Sequence, residues 1–277
     1  MIGPLLALGS ALTWGVADFA GGMLSRRLPS AAVVGVSQAC SLVALLLVAP
    51  IVGLQGSDGW LLWSVVAGLS GSLALVCFYR ALAFGTVGVV SPISALGAAL
   101  PVVVGLASGE QPGGWQLTGL VAAFVGAILA SGPELRGEEP VRAQAIWFAL
   151  AAAAGFGVTM LAITKGSAHS PMLTMIGMRT ASVLAFGVAA VALRSLGGVR
   201  VRDLPQLTLL GVADVSANAL LGVASTMGLL SITVVLSALY PVVTVGLAAI
   251  ILHERMRPVQ IAGVALAFVG VGLIAGG

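Results

Sequence analysis

Charge is what this chain has least of: 8% of its 277 residues are Asp, Glu, Lys or Arg, against 59% apolar residues and a mean hydropathy of +1.14. An ordinary soluble domain carries about a quarter charged residues, so this composition excludes one and places the chain in a membrane. The two cysteines, Cys40 and Cys77, both fall inside apolar stretches, which suits small packing residues and speaks against a disulfide framework. The two histidines, His169 and His253, sit at the ends of such stretches, in solvated positions, and no Cys/His spacing suggests a metal site. Long polar segments are missing too. Even the longest connection, around residues 133–143, has room for a turn and a few solvated charges but no globular domain, so any chemistry happens within the membrane. No cofactor and no nucleic-acid partner are expected.

What is present is a series of ten apolar stretches, at 4–24, 31–53, 60–82, 87–108, 115–132, 143–164, 172–193, 206–226, 231–252 and 259–275. Each is close to the ~20 residues that a helix needs to cross the ~30 Å hydrocarbon core. An all-α membrane protein of ten transmembrane helices is the expectation. The first stretch differs from a secretory signal: no basic residue precedes it, Asp18 lies inside it, and Arg26-Arg27 follow at once.

The chain also repeats itself. Ser94-Ala95-Leu96 returns 143 residues later as Ser237-Ala238-Leu239, and Glu110, Gln116, Gly119 and Phe124-Val125-Gly126 return 144 residues later as Glu254, Gln260, Gly263 and Phe268-Val269-Gly270. Trp14-Gly15-Val16 is matched more faintly by Phe156-Gly157-Val158, and Gln38 by Arg179. Two five-helix units follow, 1–135 and 143–277. An odd number of crossings per unit turns the second upside down relative to the first, giving an inverted repeat of the kind that places a transport site between its halves.

Ten arginines (Arg26, Arg27, Arg80, Arg136, Arg142, Arg194, Arg200, Arg202, Arg255 and Arg257) fall on the face opposite the termini in this topology, while Lys165 alone falls on the terminal face. The positive-inside rule then puts both termini outside the cytoplasm.

Four charges interrupt apolar stretches: Asp18, Arg179, Asp214 and, near an end, Arg80. Such a group at the bilayer centre costs about 2.5–3.5 kcal/mol, so a functional role is the default expectation. Trp14 and Asp18 are four residues apart, as are Asp214 and Asn218, and each pair therefore shares a helix face. Two readings of the aspartates stand side by side: substrate-binding or proton-carrying groups, or buried carboxylates hydrogen-bonded between helices. Arg179 reads first as a residue that snorkels or pairs with an acid to fix packing, and Arg80, beside Tyr79, as an interfacial anchor or gate. The repeated Glu110 and Glu254 point to a shared structural job, such as holding the turn between consecutive helices.

Pro92 and Pro101 interrupt the fourth stretch and Pro241 the ninth, each removing a backbone donor and freeing a carbonyl one turn earlier. Broken helices at repeat-related places point to a binding site, and Ser94, Ser237 and Tyr240 flank them. In the fifth stretch Gly119, Ala123 and Ala127, beside Ala122, Gly126 and Ala130, form a surface for close helix packing. The Gly-rich end at Gly270-Val271-Gly272 is packing as well.

With Trp14-Gly15-Val16-Ala17-Asp18-Phe19, Tyr79-Arg80-Ala81-Leu82, the run from Ser91-Pro92 through Leu96 to Gly109-Glu110, and Leu236 through Pro241 to Glu254-Arg255, the chain resembles the EamA-type drug/metabolite transporters over essentially its whole length. The resemblance implies a ten-helix inverted-repeat carrier whose central cavity is lined mainly by spans one, three, four, six, eight and nine, with spans five and ten as a buttress. By the same resemblance, Trp14, Asp18, Tyr79, Ser94, Phe156, Asp214, Asn218, Ser237 and Tyr240 are the cavity candidates. Members of this superfamily are often described with both termini cytoplasmic, the reverse of what the arginines here indicate.

The expected function is secondary transport of a small metabolite, an amino acid or similar amphipathic compound, across a bacterial plasma membrane by alternating access. Export is favoured, and protons coupled through Asp18 or Asp214 are the candidate driving ion. A non-transporting membrane sensor and an intramembrane enzyme are the alternatives; the enzyme lacks any recognisable catalytic constellation. The arginine asymmetry yields a direct test: a C-terminal reporter that is active only in the cytoplasm should stay silent, and full activity would reverse the orientation.

Overall fold

The computed structural model describes residues 2–25, 27–84, 90, 93–132, 143–194, 197–251, 253 and 256–276. Pro92, Glu254, Arg26, Arg136, Arg142 and Arg255 lie outside the described residues. Secondary structure among the described residues is helical throughout, without strands. Eight helices are long and apolar enough to cross a membrane. They are α1 (Ile2–Ser25), α2 (Ser30–Val52), α3 (Trp60–Phe84), α6 (Ala143–Ser167), α7 (Pro171–Leu193), α8 (Leu204–Ser225), α9 (Leu230–Ile251) and α10 (Pro258–Gly276). Two shorter apolar helices complete the order: α4 (Ile93–Ala107) and α5 (Gly114–Ala130).

The repeated residues do the same work twice. At the start of α5 the Gln116 side chain accepts from the Gly113 N–H at 2.9 Å, and at the start of α10 the equivalent Gln260 accepts from the Arg257 N–H at 2.8 Å. Each satisfies a donor that a helix start otherwise leaves open. Along these two helices the glycines meet across the halves: a Cβ on Gly119 would come within 2.7 Å of the Gly270 carbonyl, and one on Gly126 within 2.9 Å of the Gly263 carbonyl. Because Gly119 is equivalent to Gly263 and Gly126 to Gly270, exchanging the halves maps this contact onto itself. Lipid supplies no hydrophobic drive between helices, so backbone-to-backbone approach of this kind provides the packing.

The broken helices follow the same relation. In α4 a 3-10 turn at Leu96–Ala98 precedes Pro101, whose ring denies the Gly97 carbonyl its i+4 partner. In α9 the α-helical pieces Leu230–Ser237 and Tyr240–Ile251 are separated just before Pro241, where Leu239 donates to the Leu236 carbonyl at 3.3 Å and Val242 to the Leu239 carbonyl at 3.0 Å. Leu96 and Leu239 are repeat equivalents, so both breaks fall at one place in the unit. The first helix of the opposite half crosses each break with a glycine. A Cβ on Gly157 of α6 would lie 2.6 Å from the Gly97 carbonyl, and one on Gly15 of α1 would lie 2.9 Å from the Tyr240 carbonyl. The Trp-Gly-Val and Phe-Gly-Val motifs thus mark the two crossings between an intact and an interrupted helix. Thr244 reinforces one of them by donating to the Gly15 carbonyl at 3.2 Å.

Glu110 connects the halves rather than the consecutive helices that its recurrence suggested. Its carboxylate accepts from the Leu230 N–H at 2.5 Å and the Ser231 N–H at 3.0 Å, capping the start of α9. A helix N-terminus carries partial positive charge, which a carboxylate complements. The glycine crossings generate a prediction. Gly15→Ala and Gly157→Ala should each lower stability by about 1–3 kcal/mol through overpacking, whereas Gly272→Ala, which meets nothing within 4 Å, should be neutral in thermal melts of detergent-solubilised protein.

Candidate functional site

Where the two halves cross, a cavity of about 770 Å³ of empty space, its open mouth included, reaches between them. The wall draws on α1, α2, α3, α4, α6, α7, α8 and α9. The lining by α2 and α7 was not anticipated.

Asp214 is the hub of the polar wall. Arg179 Nη2 on α7 donates to its Oδ2 at 2.6 Å, Trp14 Nε1 on α1 donates to its Oδ1 at 3.3 Å, and Asn218 Nδ2, one turn along α8, donates to the Asp214 carbonyl at 2.6 Å and to Oδ1 at 3.3 Å. Arg179 is 1% exposed, so its partner is needed to hold the charge in a medium of low dielectric. Of the two sequence readings of Arg179, pairing with an acid describes its geometry, and snorkelling does not.

Asp18 stands apart from this network. It is half-buried on the cavity wall, within electrostatic reach of Asp214, Tyr79 and Tyr240, and has no hydrogen bond or ion pair among the described residues. The two aspartates share a cavity, yet no hydrogen bond joins them.

Aromatic rings build much of the remainder. Trp14 meets Tyr240 edge-on with centroids 6.2 Å apart, and Phe78 meets Phe156 edge-on at 5.9 Å. Among the sequence candidates, Trp14, Asp18, Ser94, Phe156, Asp214, Asn218 and Tyr240 therefore come together on one wall. Tyr79 and Ser237 are buried outside the lining. Tyr79 leans on Phe78 at 5.7 Å and directs its hydroxyl toward Gly21 of α1, while Ser237 donates to the Ala7 carbonyl at 3.3 Å and so fastens α9 to α1. Arg80 is exposed, with its guanidinium 6.0 Å from the centre of the Phe148 ring, as suits an anchor at the end of α3. Pro101 and Pro241 act through the helix breaks and are not part of the lining.

Sequence reasoning passed over Gln38, Ser72, Phe78, Thr159, Met178 and Ser182, all of which line the cavity. Gln38 carried a signal, being the repeat partner of Arg179. Four polar atoms on the wall, Gln38 Oε1, Ser72 Oγ, Ser94 Oγ and Arg179 Nε, are buried with no hydrogen-bond partner among the described residues. Buried polar groups are ordinarily paired, so such a cluster around a cavity is suited to a polar guest or to water. No group of three or more metal-ligating side chains occurs among the described residues.

The ion pair sets up a stability test. Asp214→Leu should cost about 3–5 kcal/mol by stranding Arg179, and the double variant Asp214→Leu/Arg179→Met should recover most of that loss in melting experiments. Additive losses would show that the pair carries no coupling.

The geometry can be set beside known proteins. No curated protein matches the chain. A solved structure described only as "Crystal structure of protein" superposes with a TM-score of 0.79 over 99% of this chain and 98% of that one, at 16% identity, a likeness of fold alone. A family model described as the EamA-like transporter family matches residues 1–132 and again 143–276. With both halves matched, the chain belongs to the EamA-like transporter family, and it is a multi-pass membrane protein of transporter type.

Proposed function

We propose that this protein is a secondary carrier built from ten membrane-crossing helices in two inverted five-helix units, 1–135 and 143–277. It moves a small metabolite, an amino acid or similar amphipathic compound, across a bacterial plasma membrane, with export the favoured direction. The observation that carries this reading is the cavity itself: it lies where the interrupted helices α4 and α9 meet the first helices of the opposite halves, and its wall mixes aromatic rings with buried, unpartnered polar atoms. Two halves related by a two-fold can rock about such a site, closing one side while opening the other. The short helices α4 and α5 are counted as crossings because each lies in the repeat register of a longer partner, α9 or α10.

Protons remain the candidate coupling ion, and the geometry separates the two aspartates proposed to carry them. Asp214 is held by Arg179, Trp14 and Asn218, whereas Asp18 faces the cavity unpaired, with Asp214, Tyr79 and Tyr240 as its titratable neighbours. Asp18 is thus the better placed to gain and lose a proton during a cycle.

Reconstituted proteoliposomes test both levels. Solute flux should accelerate when a pH gradient is imposed, and Asp18→Asn should abolish that acceleration. Acceleration undiminished in the variant would remove Asp18 from coupling. Ligand binding without flux of any solute would favour the sensor over the carrier.

A further inference from the structure

The charges on the cavity wall do not cancel. Arg179 and Asp214 neutralise one another across 2.6 Å, and the guanidinium is almost wholly buried. A carboxylate on a guest would therefore meet a cation whose charge Asp214 already neutralises. Trp14 Nε1 and Asn218 Nδ2 are engaged by Asp214 as well. Asp18 is left over: among the described lining residues the charged groups are two aspartates and one arginine, and only Asp18 lacks a partner. With Asp214 within reach, the wall attracts a positive group and repels a negative one.

The surroundings describe the rest of the guest. The rings of Trp14, Phe78, Phe156 and Tyr240 line the same cavity, and aromatic faces hold an ammonium through their quadrupoles as well as packing an apolar body. Arg179 Nε and Gln38 Oε1, buried and without protein partners, offer one donor and one acceptor to an uncharged polar group.

We propose that the cavity binds a monocationic amphipathic amine: an ammonium group at Asp18, an apolar or aromatic body among the rings, a neutral hydroxyl or amide near Arg179 and Gln38, and no carboxylate. The inference rests on the carrier reading and narrows its substrate from amino acids and similar amphipathic compounds to amines without the acid group.

Three compounds with one benzyl body separate the possibilities when titrated against the purified full chain in lipid nanodiscs. Phenylalaninol carries an ammonium and a hydroxyl, phenylalanine an ammonium and a carboxylate, and 3-phenylpropane-1,2-diol no charge. Phenylalaninol should bind at least about tenfold more tightly than either of the others, a difference that one well-formed charge contact supplies. Asp18→Asn should erase that preference and Asp18→Glu should keep it. Should the Asn variant fail to fold, the ranking on the unaltered protein decides. Equal or tighter binding of phenylalanine or of the diol, or no binding of phenylalaninol, overturns the proposal. In proteoliposomes, flux of phenylalanine without flux of phenylalaninol would refute the amine and leave the carrier standing. Binding of phenylalaninol without flux of any solute would do the reverse.

Discussion

A buried charge in hydrocarbon must be paired, and the Arg179–Asp214 contact is where this molecule meets that demand. The guanidinium fixes α7 against α8, and through Trp14 the same carboxylate reaches α1 in the other half. Three helices from both halves are thereby tied to one point beside the cavity. Since the pair is internally neutral, what it leaves to the cavity is shape and a set of oriented dipoles, and the net charge there falls to Asp18 alone.

The scaffold around that point is made from close backbone approach rather than from large side chains. Ala7, Ala11, Ala67, Ala98, Ala123, Ala127, Ala162 and Ala267 are among the residues of its two largest buried clusters. Leu47, Ile51, Val188 and Val191 face outward, as a lipid-facing surface requires. Gly15 and Gly157 let an intact helix lie on the exposed carbonyls of an interrupted one, and the interruptions set Ser94 and Tyr240 on the cavity wall. Packing and site are consequently one design: the prolines that weaken α4 and α9 also create the place where the first helices cross them.

Much of this was legible in the residues. The repeat singled out Gln116 with Gln260 and the small residues of the fifth and tenth stretches, because helix starts and backbone contacts tolerate few residue types, although the capping role of the glutamines emerged only from the structure. Four-residue spacing placed Trp14 with Asp18 and Asp214 with Asn218, since helical period alone decides a shared face. The partner of Asp214 was not legible, for Arg179 lies 35 residues away on another helix. Helices that are apolar all round give no sign of which face turns inward. Tyr79 and Ser237, expected on the cavity wall from the family resemblance, lie behind it, while Gln38 and Ser182 were overlooked and lie upon it. Glu110 fits the same lesson: its repetition signalled a structural duty, but its partner on α9 depends on how the halves meet.

Exchange of access between the two membrane faces is the central claim, and distances between spin labels measure it most directly. With Cys40 and Cys77 replaced, one label pair at Gly109→Cys and Gly228→Cys reports the face that carries the chain termini, and a second at Phe84→Cys and Arg257→Cys reports the opposite face. Alternating access requires two distances for each pair, with the population that narrows one face widening the other when conditions shift the balance. A single unchanging distance on both faces under every condition would contradict it.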